Sequence, residues 1–225
     1  MSLGRHLSGL RARFDLQALR PPAPSSSAAD DALAQQQPAW SGLLAWCQQG
    51  AGPGNSGWLQ PGAKPAVAQR LAVAALHGHG DSATRAWADA FARQLDGSVA
   101  LAALPGGARG PGALAMRLRI KAQDAMWWRP RQPDDPWDAG WAISTPASHS
   151  HSHSHSHSHW RSGFMPRRAT LILADSREAA TLSPHLAALT ARSDALWHPL
   201  RWVWVGGADD LAQRLGLAME RFELI

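Results

Sequence analysis

The stretch LAVAALHGHGDSATRAW, residues 71–87, decides the fold class. Its first six residues form a short apolar run that is typical of a buried strand in a parallel sheet. A Gly-rich turn (77–82) ends this strand, and the apolar spacing over 83–95 predicts an amphipathic helix. Asp81 or Ser82 is expected to cap that helix, because short polar side chains accept hydrogen bonds from free backbone N–H groups. The stretch therefore predicts a strand–turn–helix unit.

The same alternation continues along the rest of the chain. Further strands are expected at 98–104, 169–175, 200–205 and 219–225. Further helices are expected at 40–47, 113–128, 184–192 (capped by Ser183, with Pro184 first) and 208–215. Proline and glycine interrupt residues 129–140, which are expected to be irregular. The alternation predicts an α/β fold with three αβα layers and a mostly parallel sheet.

Two segments of biased composition indicate the domain organisation. Residues 1–39 join an amphipathic stretch to Pro-, Ser- and Gln-rich sequence (21–38), so we expect a flexible N-terminal helix and linker. The α/β domain would then occupy 40–225. Within it, the repeat SHSHSHSHSHSH (148–159) predicts a disordered loop over 144–162.

Composition excludes several classes of protein. In 225 residues, 45% are hydrophobic and 17% are charged, which excludes a wholly disordered or fibrous chain. A single cysteine, Cys47, excludes a disulfide framework and any multi-cysteine metal site, and we expect it in the core. No apolar run approaches the ~18 residues of a membrane span, and the start lacks a secretory signal, so a cytoplasmic protein is expected. The net charge of +5 is spread along the chain, which does not favour nucleic-acid binding.

The turn after the first strand is the main candidate site. Glycines let the backbone bend closely there, and the N-terminus of a helix attracts phosphate groups. The strand ATLILAD (169–175) ends in an acid, which is where phosphate-loop enzymes hold Mg²⁺. The candidate nucleotide-binding residues are Gly78, Gly80, Ser82, Thr84, Arg85 and Asp175.

The succession of these elements resembles the nucleotide-binding core of the STAND, or NB-ARC-like, P-loop ATPases. The resemblance covers about residues 60–225 and includes the Gly loop with Thr-Arg, the strand ending in Asp, the strand LRWVWVGG and the closing ERFEL. It implies a P-loop NTPase-like fold with ATP and Mg²⁺ as cofactors. It also implies that Thr84 matches the phosphate-loop hydroxyl and Asp175 the acid that holds Mg²⁺.

The chain departs from the motif G-x-x-x-x-G-K-[ST] of such enzymes. His77 and Ser82 stand at the two glycine positions, and Ala83 stands at the position of the phosphate-binding lysine. The resemblance therefore implies a pseudo-NTPase without catalytic residues, acting as a protein-binding or regulatory module. The alternative is a protein that still binds or hydrolyses ATP weakly, with Arg85 or Arg168 as the replacement cation.

The histidine repeat supports a different alternative, a metal-binding protein. In an extended chain, alternation puts every second side chain on one side, and neutral imidazoles bind Zn²⁺ or Ni²⁺. The candidate metal ligands are His149, His151, His153, His155, His157 and His159. A solvated spacer that grew by repeat expansion explains the same pattern.

Two features predict a protein partner. The N-terminal segment is amphipathic, with Leu3, Leu7, Leu10 and Phe14 at helical spacing. The chain is also rich in tryptophan, with twelve in all. Five of them flank loop-like sequence and are expected to form a Trp-rich surface: Trp127, Trp128, Trp137, Trp141 and Trp160.

Overall fold

A computed structural model describes residues 19–24, 28–48, 70–104, 110–125, 135–143, 166, 168–196, 198–206, 216 and 219–224. Its strands are β1 (Leu19–Arg20), β2 (Leu71–His77), β3 (Asp138–Ala142), β4 (Thr170–Asp175), β5 (Leu200–Val205) and β6 (Met219–Glu223). Its helices are α1 (Ala28–Gln35), α2 (Pro38–Gln48), α3 (Asp81–Leu95), α4 (Ser98–Ala102), α5 (Pro111–Ala125) and α6 (Ala179–Thr190). Short 3₁₀ turns occupy Ser176–Glu178 and Ser193–Ala195.

The strands form one sheet in the order β1-β3-β4-β5-β2-β6. Each neighbouring pair from β3 to β6 is parallel, and β1 pairs with β3 in the antiparallel direction. The α/β class with a mostly parallel sheet is therefore confirmed. Both β4 and β5 are buried along almost their whole length, which explains why apolar residues occupy most of their positions; Arg201 in β5 is a buried exception.

The two faces of the sheet carry separate hydrophobic clusters. On one face, Leu76, Leu173 and Val205 pack with residues of α1, α2 and α3. On the other face, Ala174 and Trp204 pack with residues of α6. Successive side chains of a strand point to opposite faces, so these helices cover the sheet from both sides.

Two predictions around the second strand are wrong. Residues 98–104 were expected to form a strand, but Ser98–Ala102 is helix α4, because a short alanine-rich run suits a helix equally well. The next strand is instead β3, which begins within the segment 129–140 that was expected to be irregular and continues to Ala142. Gly140 permits this strand, since a Cβ there would lie 2.6 Å from the backbone oxygen of Arg20 on β1.

The predicted helix starts also need correction. Helix α3 has Gly80 as its N-cap and no side-chain cap bond, so neither Asp81 nor Ser82 caps it. Helix α6 begins at Ala179, which leaves Pro184 inside the helix and not at its first position. The chain turns directly from β4 through the 3₁₀ turn, whose N-cap is Asp175.

Two surface predictions are wrong as well. Residues 28–35 of the expected linker form α1, whose Ala34 oxygen accepts a hydrogen bond of 3.1 Å from Trp87 Nε1. Trp137 and Trp141 are each only 4% exposed, so they belong to the core and not to a Trp-rich surface.

Helix 40–47 and the strands at 169–175, 200–205 and the start of 219–225 are confirmed. The predictions for the N-terminal helix, the His-Ser loop at 144–162 and the helix at 208–215 lie outside the described residues, as do Trp127, Trp128 and Trp160. In the part of the chain that the structure describes, no helix has the length and apolar character to cross a membrane.

Candidate functional site

Strands β2 and β4 end side by side at the carboxyl edge of the sheet. Leu76 of β2 and Asp175 of β4 are both register partners of Val205 on the intervening β5. Neighbouring strands lie about 4.8 Å apart, so the two backbones are separated by roughly 10 Å. The next helices, α3 and α6, leave toward opposite faces. In parallel sheets, ligands bind at the crevice that such a divergence opens.

An ion pair connects α3 to the end of β4 at this edge. Nη2 of Arg85, one turn into α3, donates a hydrogen bond to Oδ2 of Asp175. Oδ1 of Asp175 accepts the backbone N–H of Arg177 at 2.9 Å. The Arg85 guanidinium also lies over the ring of Trp141, with its Cζ 5.1 Å from the ring centroid. Each carboxylate oxygen of Asp175 therefore already accepts a hydrogen bond from this chain.

A second ion pair joins the same two segments, with the acid on α3 and the arginine after β4. Nη2 of Arg177 contacts Oδ2 of Asp81 at the start of α3. Both side chains are more than 60% exposed, so this pair contributes little to stability. Together, the two pairs join the first turn of α3 to the end of β4 with balanced charge.

The turn before α3 is built around a buried hydroxyl. Thr84 is 1% exposed, and its Oγ1 donates a hydrogen bond of 3.0 Å to the Gly80 oxygen. A side chain at Gly78 would collide with this hydroxyl and lie 3.1 Å from Leu224 Cδ1. Gly80 adopts a φ of 99°, which L side chains rarely adopt. Close packing therefore accounts for Gly78 and the positive φ accounts for Gly80, in both cases without a ligand.

Five of the six candidate nucleotide-binding residues participate in these contacts. Gly78, Gly80 and Thr84 contact one another in the turn, and Arg85 pairs with Asp175. Ser82 is exposed at the start of α3.

Arg168 lies elsewhere, at the amino end of β4, with its Nε 3.5 Å from Asp138 Oδ1 and its Nη1 3.4 Å from the Pro136 oxygen. Because six residues of a strand span about 20 Å, Arg168 cannot be the replacement cation.

Sequence reasoning missed three residues at this edge. Asp81 and Arg177 form the second ion pair, and their charges are too common in sequence to predict it. Gly206 has a φ of 101°, and its N–H donates a 3.0 Å hydrogen bond to the Leu76 oxygen. The Gly-Gly pair directly after the strand LRWVWV was the available signal for this turn.

The described residues contain neither a cluster of metal ligands nor a reactive thiol. Among the residues described, no group of three or more His, Cys, Asp or Glu side chains could hold a metal ion. The repeat from His149 to His159 is outside those residues. Cys47 is a core residue, as predicted, and burial raises the pKa of its thiol to about 12, which removes the thiolate that a nucleophile needs.

Comparison with models of protein families, with curated proteins and with solved structures finds no match. The function must therefore be argued from the geometry of the carboxyl edge. That geometry combines a Gly turn, the start of a helix and a strand-end acid. The charges of this acid and its neighbours are satisfied within the chain.

Proposed function

We propose that this protein is a P-loop NTPase-like module that does not hydrolyse ATP and acts by binding a protein partner. The Arg85–Asp175 ion pair carries the proposal. In phosphate-loop ATPases, the acid at this strand end holds Mg²⁺. Here a guanidinium of the same chain lies beside the carboxylate and supplies the positive charge. Both oxygens of the acid already accept hydrogen bonds within the chain, so a metal ion would have to compete with the Arg85 guanidinium for the carboxylate.

The turn supports the same conclusion. Ala83 stands where a phosphate loop needs its lysine, so no cation reaches the β- and γ-phosphates from that position. The hydroxyl of Thr84, which would bind Mg²⁺, donates to the Gly80 oxygen and is buried. A charge-assisted hydrogen bond contributes about 1.5–3 kcal/mol, so loss of the lysine alone would weaken ATP binding about tenfold to a hundredfold.

The strand arrangement also supports the proposed P-loop NTPase-like fold. The candidate turn follows β2, an inner strand between β5 and β6, and it lies at the edge where α3 and α6 leave toward opposite faces. Ligand sites of parallel sheets are found at this position. These features support a scaffold like that of a nucleotide site, in which the groups that would perform phosphoryl transfer are replaced or engaged within the chain.

Phosphate release from Mg²⁺-ATP tests the proposal on the 225-residue chain. We expect no release above that of an Asp175→Asn variant, and no gain from Arg177→Ala, which removes a cation from the same edge. Phosphate release by the native protein that disappears in Asp175→Asn would contradict the proposal, because it would require an acid that is free to act.

The exposure of Arg85 favours a second candidate, a residual ATP-binding site. Its side chain is 41% exposed, whereas that of Asp175 is 13% exposed, so the arginine could turn from the carboxylate to a phosphate. A thermal shift with Mg²⁺-ATP separates the two candidates. Stabilisation that is lost in Arg85→Ala but kept in Arg177→Ala would favour the residual site, and an unchanged melting temperature would favour complete loss.

A further inference from the structure

Helix α5 exposes large apolar side chains to solvent. Leu114 is 59% exposed and Leu118 is 58% exposed, although leucine is among the residues most often buried. The two are four residues apart, and Ala122 follows after four more, with Ala115 beside them. At 3.6 residues per turn, these positions form one continuous stripe, here called the α5 stripe. Both alanines are also exposed.

The opposite side of α5 packs on the protein. Ala113 is fully buried, and Met116 and Ile120 are partly buried. Gly112 lies close to Leu104, since a Cβ on it would be 3.8 Å from the Leu104 side chain. The α5 stripe therefore lies on the side of the helix opposite to the residues that α5 contacts.

Cations border the α5 stripe on both sides. Arg117 precedes Leu118 and Arg119 follows it, so each lies about 100° around the helix from Leu118, one on either side. Both arginines are exposed. The sequence of α5 contains a third cation, Lys121, against a single acid, Asp124. An apolar stripe with positive borders is complementary to an apolar stripe with negative borders.

We infer that α5 binds an amphipathic helix of a protein partner, whose apolar stripe is bordered by Asp or Glu side chains. The inference rests on the proposed function for the expectation that a partner exists, and it names the surface and the chemistry of that partner. The alternation of leucine with alanine suits a helix, because small residues let a second helix pack closely between the leucines.

Two other occupants fit this surface less well. A second copy of α5 would bring arginine against arginine, and like charges disfavour that contact. A membrane surface is bound by helices with a broad apolar face that includes Trp or Phe, whereas the α5 stripe contains only leucine and alanine. Charge and shape together therefore favour an acidic helix.

A designed peptide pair tests the inference. The probe is a fluorescent helical peptide of about 20 residues, a length at which an isolated helix can form, with a Leu/Ala stripe bordered by Glu. The matched peptide carries Lys in place of Glu. Fluorescence anisotropy with the 225-residue chain should show binding of the Glu peptide and at least about tenfold weaker binding of the Lys peptide.

Variants of the protein sharpen the test. Leu118→Ser should weaken binding of the Glu peptide about tenfold or more, because a central apolar contact is lost. Arg117→Glu combined with Arg119→Glu should reverse the preference toward the Lys peptide. Leu33→Ser on α1, also an exposed leucine, and Arg221→Glu on β6 are the matched controls and should change neither affinity.

Several results would overturn the inference. They are absence of binding to the Glu peptide, equal affinity for both peptides, or no effect of the charge reversal. Self-association abolished by Leu118→Ser, or sedimentation with phosphatidylserine vesicles abolished by the same change while the peptide does not bind, would assign the surface to a second copy or to a membrane. Peptide binding is measured without ATP, so ATP hydrolysis would contradict only the proposed loss of catalysis, and failed peptide binding would contradict only the α5 surface.

Discussion

Trp141 of β3 donates a hydrogen bond of 2.7 Å from its indole nitrogen to Oδ1 of Asp89 on α3. The same oxygen accepts the backbone N–H of Ala23 at 3.0 Å, just after β1. The ring of Trp141 meanwhile supports the guanidinium of Arg85. One buried carboxylate thus connects α3, strand β3 and the segment after β1, and it positions the Trp141 ring that lies against the Arg85 guanidinium of the candidate site.

Asp89→Ala should reduce the free energy of unfolding by about 1–3 kcal/mol, because the buried indole N–H of Trp141 would lose its acceptor. Equilibrium urea denaturation measures the change. Asp89→Asn keeps an oxygen acceptor and should lose less. Gln94→Ala, an exposed position on the same helix, is the control and should have little effect. A loss in Asp89→Asn equal to that in Asp89→Ala would show that the charge matters and not the hydrogen bond.

Stability should fall as pH rises above about 8, because of Cys47. Burial raises the pKa of its thiol from 9.0 to about 12, and nearby Arg201 opposes part of this rise. At pH values between the two, the unfolded chain loses the thiol proton while the folded chain keeps it, so unfolding becomes more favourable. The expected loss is about 1 kcal/mol between about pH 8 and about pH 9.5.

Tyrosine and arginine side chains contribute little to the change in stability over this pH range. The chain has no tyrosine, and Arg201, whose pKa burial lowers to about 10, keeps most of its proton below that pH. Urea denaturation at several pH values should therefore show a decline in the native protein and a flatter profile in Cys47→Ala. A decline of equal slope in Cys47→Ala would assign the effect to other groups.

Asp96→Asn should be more favourable to stability at pH 7 than at pH 4. Burial raises the pKa of Asp96, although the hydrogen bonds from Ser98 and the charge of Arg93 oppose it. The contribution of a carboxyl with a raised pKa is fully present below its ordinary pKa and is lost as pH rises through the folded value. Asn keeps the acceptor for the 2.7 Å hydrogen bond from the Ser98 N–H without a buried charge. Urea denaturation of the native protein and of Asp96→Asn at both pH values measures this difference. A variant that is more favourable to stability at pH 4 than at pH 7 would contradict the prediction.

Gly206→Ala should destabilise the protein by about 1–3 kcal/mol, because a residue with a side chain would have to adopt a φ of 101°. Its Cβ would also lie 2.7 Å from Ser176 Oγ. Gly216→Ala, with a φ of 60° and nothing within 4 Å of an added Cβ, isolates the backbone cost of positive φ. In a Ser176→Ala background, the cost of Gly206→Ala should decrease. An unchanged cost in that background would show that Ser176 simply rotates away.

The fold class could be predicted where burial is complete. β4 and β5 are buried on both faces, so their sequences contain continuous apolar runs that no exposed element would have. The strand DAGWA at 138–142 gives no such signal. It forms because β4 pairs with it on one side and the backbone of β1 approaches Gly140 on the other. The prediction of a strand at 98–104 was wrong for a related reason, because a short apolar run is compatible with either a helix or a strand.

Some features of the candidate site follow from neighbouring residues in the sequence, and others depend on contacts between distant residues. The sequence alone determined that a Gly turn joins β2 to α3 and that alanine stands where the resemblance would place a phosphate-binding lysine, because both are properties of neighbouring residues. Only the tertiary structure decided that Arg85 neutralises Asp175, ninety positions away, since the order of strands determines which residues meet at the carboxyl edge. The exposure of Leu114 and Leu118 is likewise a tertiary property, because helical periodicity identifies a stripe but not which side of the helix meets the core.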